Sequence, residues 1–265
     1  MSLSFELLKM GFKERMAYKL DFIFDIFVIP FTFLVIYFIW SRLYEFNAVE
    51  TVQGFTFTET LTYFAMTIIV MWTVNTWIGD SVGVTISKGD FARYIIFPVD
   101  FYKYNMLSQF GSKIPGIIFR IPFFFIAFVL FFKIYVNLNP VQLFLFFVSC
   151  VLSFFLLNTF RYMMALFSFW EESHWTIDMI SFGIIDLLSG LLVPLDFYPG
   201  FLRRIVDVLP FKDMVYSPIM IYMGRMSVAD SLLVFANQLF FTLVFYLISR
   251  FLFNLGRAKF TSQGG

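Results

Sequence analysis

Residues 141–163 read VQLFLFFVSCVLSFFLLNTFRYM, and the solvent this run implies decides the fold. A bilayer-spanning α-helix needs roughly 20 mostly apolar residues, because each adds about 1.5 Å across a hydrocarbon core about 30 Å thick. Five other runs are of the same kind, at 22–44, 59–79, 115–136, 177–193 and 231–253, each set off from the next by polar or Pro/Gly-rich sequence. Composition agrees: 60% of the chain is hydrophobic and only 14% charged, where a soluble domain carries about 25% charged residues. Mean hydropathy is +0.82. The sequence predicts an all-α integral membrane protein with six transmembrane helices, one transmembrane domain over 1–265 with no separate soluble domain.

Several function classes are disfavoured at once. A net charge of +1 argues against a nucleic acid partner. The lone cysteine, Cys150, lies within an apolar run and has no intrachain partner, and with the lone histidine, His174, it makes no zinc or haem set, so no metal is expected. The 42 phenylalanines suit lipid-facing and helix-packing positions alike. The run 22–44 is longer than a signal-peptide core and is not followed by a small-residue cleavage site, so it is expected to stay as the first span. No G-x-x-x-x-G-K-[ST] or G-x-S-x-G pattern and no His-centred metal motif is present. Leu188-Ser189-Gly190 resembles the start of an ATPase signature, but Leu191 stands where a second glycine belongs. No catalytic residue and no cofactor are therefore expected on this chain. Asp178 and Asp186 share one apolar segment, yet eight residues of helix put them about 12 Å apart along its axis, too far to share a proton as an aspartyl pair must without another chain's help.

The charged segments set the topology. Leu8, Phe12, Met16 and Leu20 recur every four residues, with Lys9, Lys13, Arg15 and Lys19 on the other sides. That pattern predicts an amphipathic helix in the headgroup plane over 1–21; a polar lead-in to the first span is the plainer alternative. The connection 45–58 has no Lys or Arg and carries Glu45 and Glu50, whereas 80–114 carries Lys88, Arg93, Lys103 and Lys113, and the tail carries Arg257 and Lys259. Positive loops stay cytoplasmic, so both termini face the cytoplasm from a multi-pass position in the cell membrane. Residues 194–230 should face out by parity, yet hold Arg203, Arg204, Lys212 and Arg225 beside Asp196, Asp207, Asp213 and Asp230. Either 177–193 is not a simple span, or 194–230 folds as short helices dipping into the outer leaflet, broken at Pro194, Pro199, Pro210 and Pro218. The second is preferred here.

Polar residues inside or at the edges of the spans are Asp25, Asn75, Asn158, Asp178, Asp186 and Ser189. A charge near the bilayer centre costs roughly 2.5–3.5 kcal/mol on insertion scales. Asp25 and Asp178 are expected to reach water at helix ends. Asp186, with Ser189 and Gly190 one turn further along, is expected on a packed or cavity-lining face. Within 80–114, Lys88-Gly89-Asp90 reads as a turn with Asp90 capping a helix Phe91–Ile96. That short element, with Arg93 and Tyr94, suits docking of a soluble partner or a plain interfacial loop.

Three segments then resemble a known family, the permease subunits of type-2 ATP-binding-cassette transporters of the exporter class. Lys13-Glu14-Arg15-Met16-Ala17-Tyr18-Lys19-Leu20-Asp21-Phe22 is similar to the basic N-terminal helix of one subfamily. Ile86-Ser87-Lys88-Gly89-Asp90-Phe91, with Pro98 following, resembles the cytoplasmic connection after the second span. Leu188-Ser189-Gly190-Leu191-Leu192-Val193-Pro194, continuing through Phe197-Tyr198-Pro199, Leu209-Pro210-Phe211 and Tyr216-Ser217-Pro218, is similar to the fifth span and the short outer helices after it. The resemblance covers essentially the full length. It implies a subunit that pairs with a second permease, the same or a homologous chain, and with cytoplasmic ATPase subunits that bind ATP and magnesium. It further implies that 194–230 is extracellular and partly re-entrant, with Pro194, Pro199 and Pro210 at an outer gate, and that Lys88, Gly89, Asp90, Phe91, Arg93 and Tyr94 dock on the ATPase. Facing second and fifth spans would line the path, with Trp72, Asn75, Thr76, Asp186 and Ser189 as its candidate residues and an amphiphilic, lipid-like, drug-like or peptide cargo. A non-transporting scaffold or sensor subunit is the alternative function.

Overall fold

The computed structural model describes residues 3–17, 19–47, 49–91, 94, 100–171 and 173–259, without the side chains of 3, 15–17, 19–23, 25, 47 and 259. Helices α1 (Leu3–Ala17) and α2 (Lys19–Asn47) lead into a two-stranded hairpin, β1 (Thr51–Val52) and β2 (Phe55–Thr56), in which Thr51 pairs with Thr56. Then come α3 (Phe57–Val74), α4 (Ile78–Ser87), α5 (Phe101–Pro115) and α6 (Ile121–Phe132), the last two joined by a π-helical turn at Gly116–Arg120. Next, α7 (Pro140–Ala165) continues as a 3-10 turn at Leu166–Phe169, and α8 (His174–Leu188) follows. The short elements Leu195–Phe197, α9 (Gly200–Val208), Pro210–Met214 and α10 (Tyr216–Tyr222) precede the last helix, α11 (Val228–Lys259).

Helix ends fall where local chemistry stops or starts the hydrogen-bond ladder. The Thr56 hydroxyl and the Glu59 carboxylate close a reciprocal capping box at the start of α3. Asn139 caps α7 ahead of Pro140, whose ring has no N–H to strand in the first turn. Lys133 ends α6 in the left-handed region, at φ 51°.

Five stretches among the described residues are long and apolar enough to cross a bilayer: Ile26–Phe46, Phe57–Ser87, Phe101–Phe132, Pro140–Phe169 and Val228–Ala258. The sixth run, 177–193, folds differently from the expectation. Its helix α8 has 15 residues, about 22 Å of rise, and residues 189–193 leave the helical path at Gly190, where φ is +82°. The second run, expected as one helix over 59–79, breaks at 75–77 and resumes as α4. The loop expected over 80–114 is taken up at its two ends by helix, α4 to Ser87 and α5 from Phe101. The third span begins at Phe101, not 115.

The core lies where α7 packs against α3, α4, α8, α10 and α11. Leu156 and Leu157 of α7, Val70 of α3 and Ile219 and Ile221 of α10 are all fully buried. The outward faces of α2, α6 and α11 carry Phe27, Phe31, Leu130, Phe131, Phe240 and Phe251, all strongly exposed. That inside-out pattern suits a lipid solvent, where apolar surface carries no penalty.

The N-terminal helix does not stand apart. It crosses α5 so closely that a side chain on Gly11 would run into the Ser108 carbonyl, and one on Gly111 into the Leu8 carbonyl. Residues 194–230 fold as short helices, as expected. Three of their four cations are held within the chain: Arg203 by Asp207 at 3.2 Å, Lys212 by Asp207 at 3.3 Å, and Arg225 by Glu59 at 2.9 Å.

Candidate functional site

The break between α3 and α4 creates the site. Asn75 is extended, at φ −80° and ψ 132°, and α4 begins at Trp77 with no side-chain cap. A helix interrupted inside an apolar protein strands the carbonyls of one end and the N–H groups of the other, and such backbone persists only where protein satisfies it. Helix α7 does so. Asn158 Nδ2 donates to the carbonyls of Val74 and Phe154, each at 2.7 Å, and its Oδ1 accepts from Thr76 Oγ1 at 2.5 Å. Thr76 Oγ1 in turn accepts from the Ile78 N–H at 3.2 Å. One turn along α7, Arg161 Nη1 donates to Asn75 Oδ1 at 2.7 Å and to the Thr76 carbonyl.

The other nitrogen of that guanidinium reaches α8. Arg161 Nη2 lies 2.8 Å from Asp178 Oδ1, with the arginine side chain fully buried and the aspartate side chain 10% exposed. The same carboxylate oxygen sits where a side chain on Gly79, in the first turn of α4, would have to go. The cation therefore meets the break at the Asn75 side chain and the Thr76 carbonyl, just past the end of α3, and the anion lies against the N-terminal turn of α4. The anion complements the partial positive charge of the helix end it faces, and the cation the Thr76 carbonyl of the break. The Phe182 ring covers the guanidinium, its centroid 4.0 Å from Arg161 Cζ. Asp178 is thus a buried partner and not the water-reaching helix end that its position in the run suggested. Its ion pair also removes it from any proton-sharing pair with Asp186.

Below this junction α4 stays fastened to the start of α8. The first contact is Gly83, whose missing side chain leaves room for His174 Cβ. His174 Nδ1 is 3.3 Å from Ser87 Oγ, and its Nε2 is 3.7 Å from Asp80. At the foot of α4, Lys88 is exposed and Gly89 turns the chain at φ +78°. Asp90 is half-buried, and Phe91 is buried among Phe101, Phe169 and Phe253 at 5.3–5.5 Å between ring centroids. Tyr94 packs on Phe101 and Tyr104. Arg93 and most of the expected helix Phe91–Ile96 lie outside the described residues.

The expected path residues do not form one group. Asn75 and Thr76 belong to the junction, and Thr76 is only 3% exposed. Trp72 stands one turn above, against Phe124 at 4.9 Å and Arg120 at 5.4 Å. Asp186 is half-buried, two turns beyond Asp178 along α8. Ser189 is fully buried, and its carbonyl accepts from the Tyr216 N–H at 3.1 Å. Beside it, the Gly190 carbonyl accepts from Tyr63 Oη at 2.5 Å. Pro194 and Pro210 are buried, and Pro199 is exposed at the start of α9.

Sequence reading passed over Arg161 altogether. At the foot of a span an arginine reads as an interface anchor. The signal that identifies it is the aspartate one turn into the next helix, which the short connection 166–173 brings level with it. A family model described as ABC-2 family transporter protein matches residues 27–264. No curated protein matches the chain.

Proposed function

The chain belongs to the ABC-2 transporter family, and from that membership we propose that it forms half of the translocation path of an ATP-driven exporter, energised by a separate cytoplasmic ATPase subunit. The family match and the membrane-length apolar helices make it a multi-pass membrane permease subunit. In this reading ATP and magnesium bind the partner, and a second permease, the same or a homologous chain, completes the path. Helix α8 together with the non-helical residues 189–194 makes the sixth crossing, both termini are cytoplasmic, and the outer helices of 194–230 dip into the outer leaflet. Their exposed Phe201, Ile205 and Val208, at 71%, 51% and 79%, fit an apolar contact at that depth.

The observation that carries the reading is the course of α4. It runs unbroken from the buried junction at 75–77 to the turn at 88–91, so a push on that turn reaches the interior along a stiff rod. Closure of an ATPase pair against 88–100 would rock the spans between two packings, and cargo moves in one direction when the two states bind it differently. The apolar and aromatic character of the chain favours an amphiphilic cargo, lipid-like, drug-like or peptide.

Co-expression with an ATP-binding-cassette ATPase of the same genome tests this. The ATPase should co-purify with the full chain, and Gly89→Val or Asp90→Lys should release it while leaving the permease folded. An isolated chain that hydrolyses ATP, or labelling of 88–100 from outside the cell alone, would overturn the reading.

A further inference from the structure

The junction does more than fill a gap in a helix. Two half-helices meet at 75–77, where Asn75 is extended and the helical ladder is interrupted, so backbone hydrogen bonding transmits little between them. From α4 to α8, by contrast, the fit is tight along the whole length. Gly79 makes room for the Asp178 carboxylate and Gly83 for His174, and Ser87 reaches the His174 ring. Arg161 stands at the meeting point, fixed on α7, with one nitrogen on the break and the other on Asp178.

We propose that Arg161 and Asp178 are positioning residues that make α4 and α8 move as one body about the break at 75–77, with the guanidinium as the pivot on α7. Movement entering at 88–91 is then delivered to α8 and not to α3. The polarity of the pair is part of the device: the cation belongs at the Thr76 carbonyl of the break and the anion at the N-terminal turn of α4. An exchange of the two charges keeps their mutual attraction and sets the anion against the Thr76 carbonyl and the cation against the first turn of α4.

That movement enters at 88–91 rests on the transporter reading above, but the linkage itself is measured on the isolated full chain, without ATPase or cargo. In a Cys150→Ser background, which is free of thiols, spin labels at Lys88 and Leu187 report α4 against α8, and labels at Lys88 and Thr58 report α4 against α3. In lipid nanodiscs the 88–187 distance distribution should be narrower than the 88–58 distribution. Asp178→Asn should broaden 88–187 to the width of 88–58, and the exchange Arg161→Asp with Asp178→Arg should stay broad. Arg161→Lys, which keeps the charge at the pivot, should recover part of the narrowing. Monodisperse elution and an unfolding transition are required of every variant, so Asp178→Asn carries the test if an arginine variant does not fold. An unchanged 88–187 width in Asp178→Asn, or full recovery in the exchange, overturns the proposal. A failed ATPase co-purification leaves it standing, and a broad wild-type 88–187 distribution leaves the transporter reading standing.

Discussion

Arg161 and Asp178 lie 2.8 Å apart inside the protein, on α7 and α8, and between them they address the two ends of a broken helix. Burial makes this pair an asymmetric contributor. Desolvation offsets much of the attraction while both partners are present, and removal of one leaves an uncompensated buried charge.

Arg161→Gln and Asp178→Asn are therefore each expected to destabilise the chain by about 3–5 kcal/mol. The double substitution Arg161→Met with Asp178→Leu should cost less than either single change, because no charge is stranded. Chemical denaturation in detergent, run as a double-mutant cycle, reads the difference.

Gly190 ends α8 at φ +82°, with the position of a Cβ 2.7 Å from the Tyr63 hydroxyl. Gly190→Ala should cost roughly 1–3 kcal/mol for a left-handed non-glycine residue, before any displacement of Tyr63. Gly183→Ala is the control, since nothing lies within 4 Å of its Cβ position. Melting temperatures of the two variants should separate clearly.

The α1–α5 crossing depends on two glycines whose substitution meets backbone, which cannot swing aside. Gly11→Leu or Gly111→Leu should detach α1 and leave the membrane helices folded. Faster proteolytic cleavage of the N-terminal segment, with an unchanged melting temperature, is the expected result.

The residues expected along a path should separate by role. Asn75→Ala and Thr76→Ala each remove a buried hydrogen-bond partner and should cost about 1–3 kcal/mol. Asp186 makes no hydrogen bond or ion pair among the described residues, and Asp186→Ala should leave stability unchanged. Equal melting temperatures across the three variants would contradict this division.

Burial holds the Asp213 carboxyl above its usual range, although Ser217 Oγ donates to it at 2.5 Å. A carboxyl whose folded value is raised contributes stability that is complete below the unfolded value and is lost as pH rises through the folded one. Thermal melts should therefore show wild-type stability falling from about pH 4 upward until Asp213 is ionised. Asp213→Asn should flatten that slope, because its amide oxygen still accepts from Ser217 and never ionises.

Most of the membrane architecture was legible in the chain. Five of the six apolar runs fall in helices long and apolar enough to cross a bilayer, and Pro194, Pro199 and Pro210 stand at the starts of short elements in 194–230, because hydropathy and backbone restriction are local properties. The foot of the second span was not legible: nothing in Val74-Asn75-Thr76-Trp77 forbids a continuous helix. The break exists because Asn158 and Arg161 satisfy its open ends from 82 or more residues away in sequence.

By itself, then, the sequence determined the solvent, the helical class and the approximate spans, since each depends on side-chain transfer energies and dihedral preferences that residues carry with them. Tertiary structure alone decided which charges are paired. Asp178 has the same residue type and run as Asp186, and what separates them is an arginine on a neighbouring helix and the missing side chain of Gly79. A buried carboxylate acquires its role from whatever shares its low-dielectric surroundings, and that is fixed only when the helices pack.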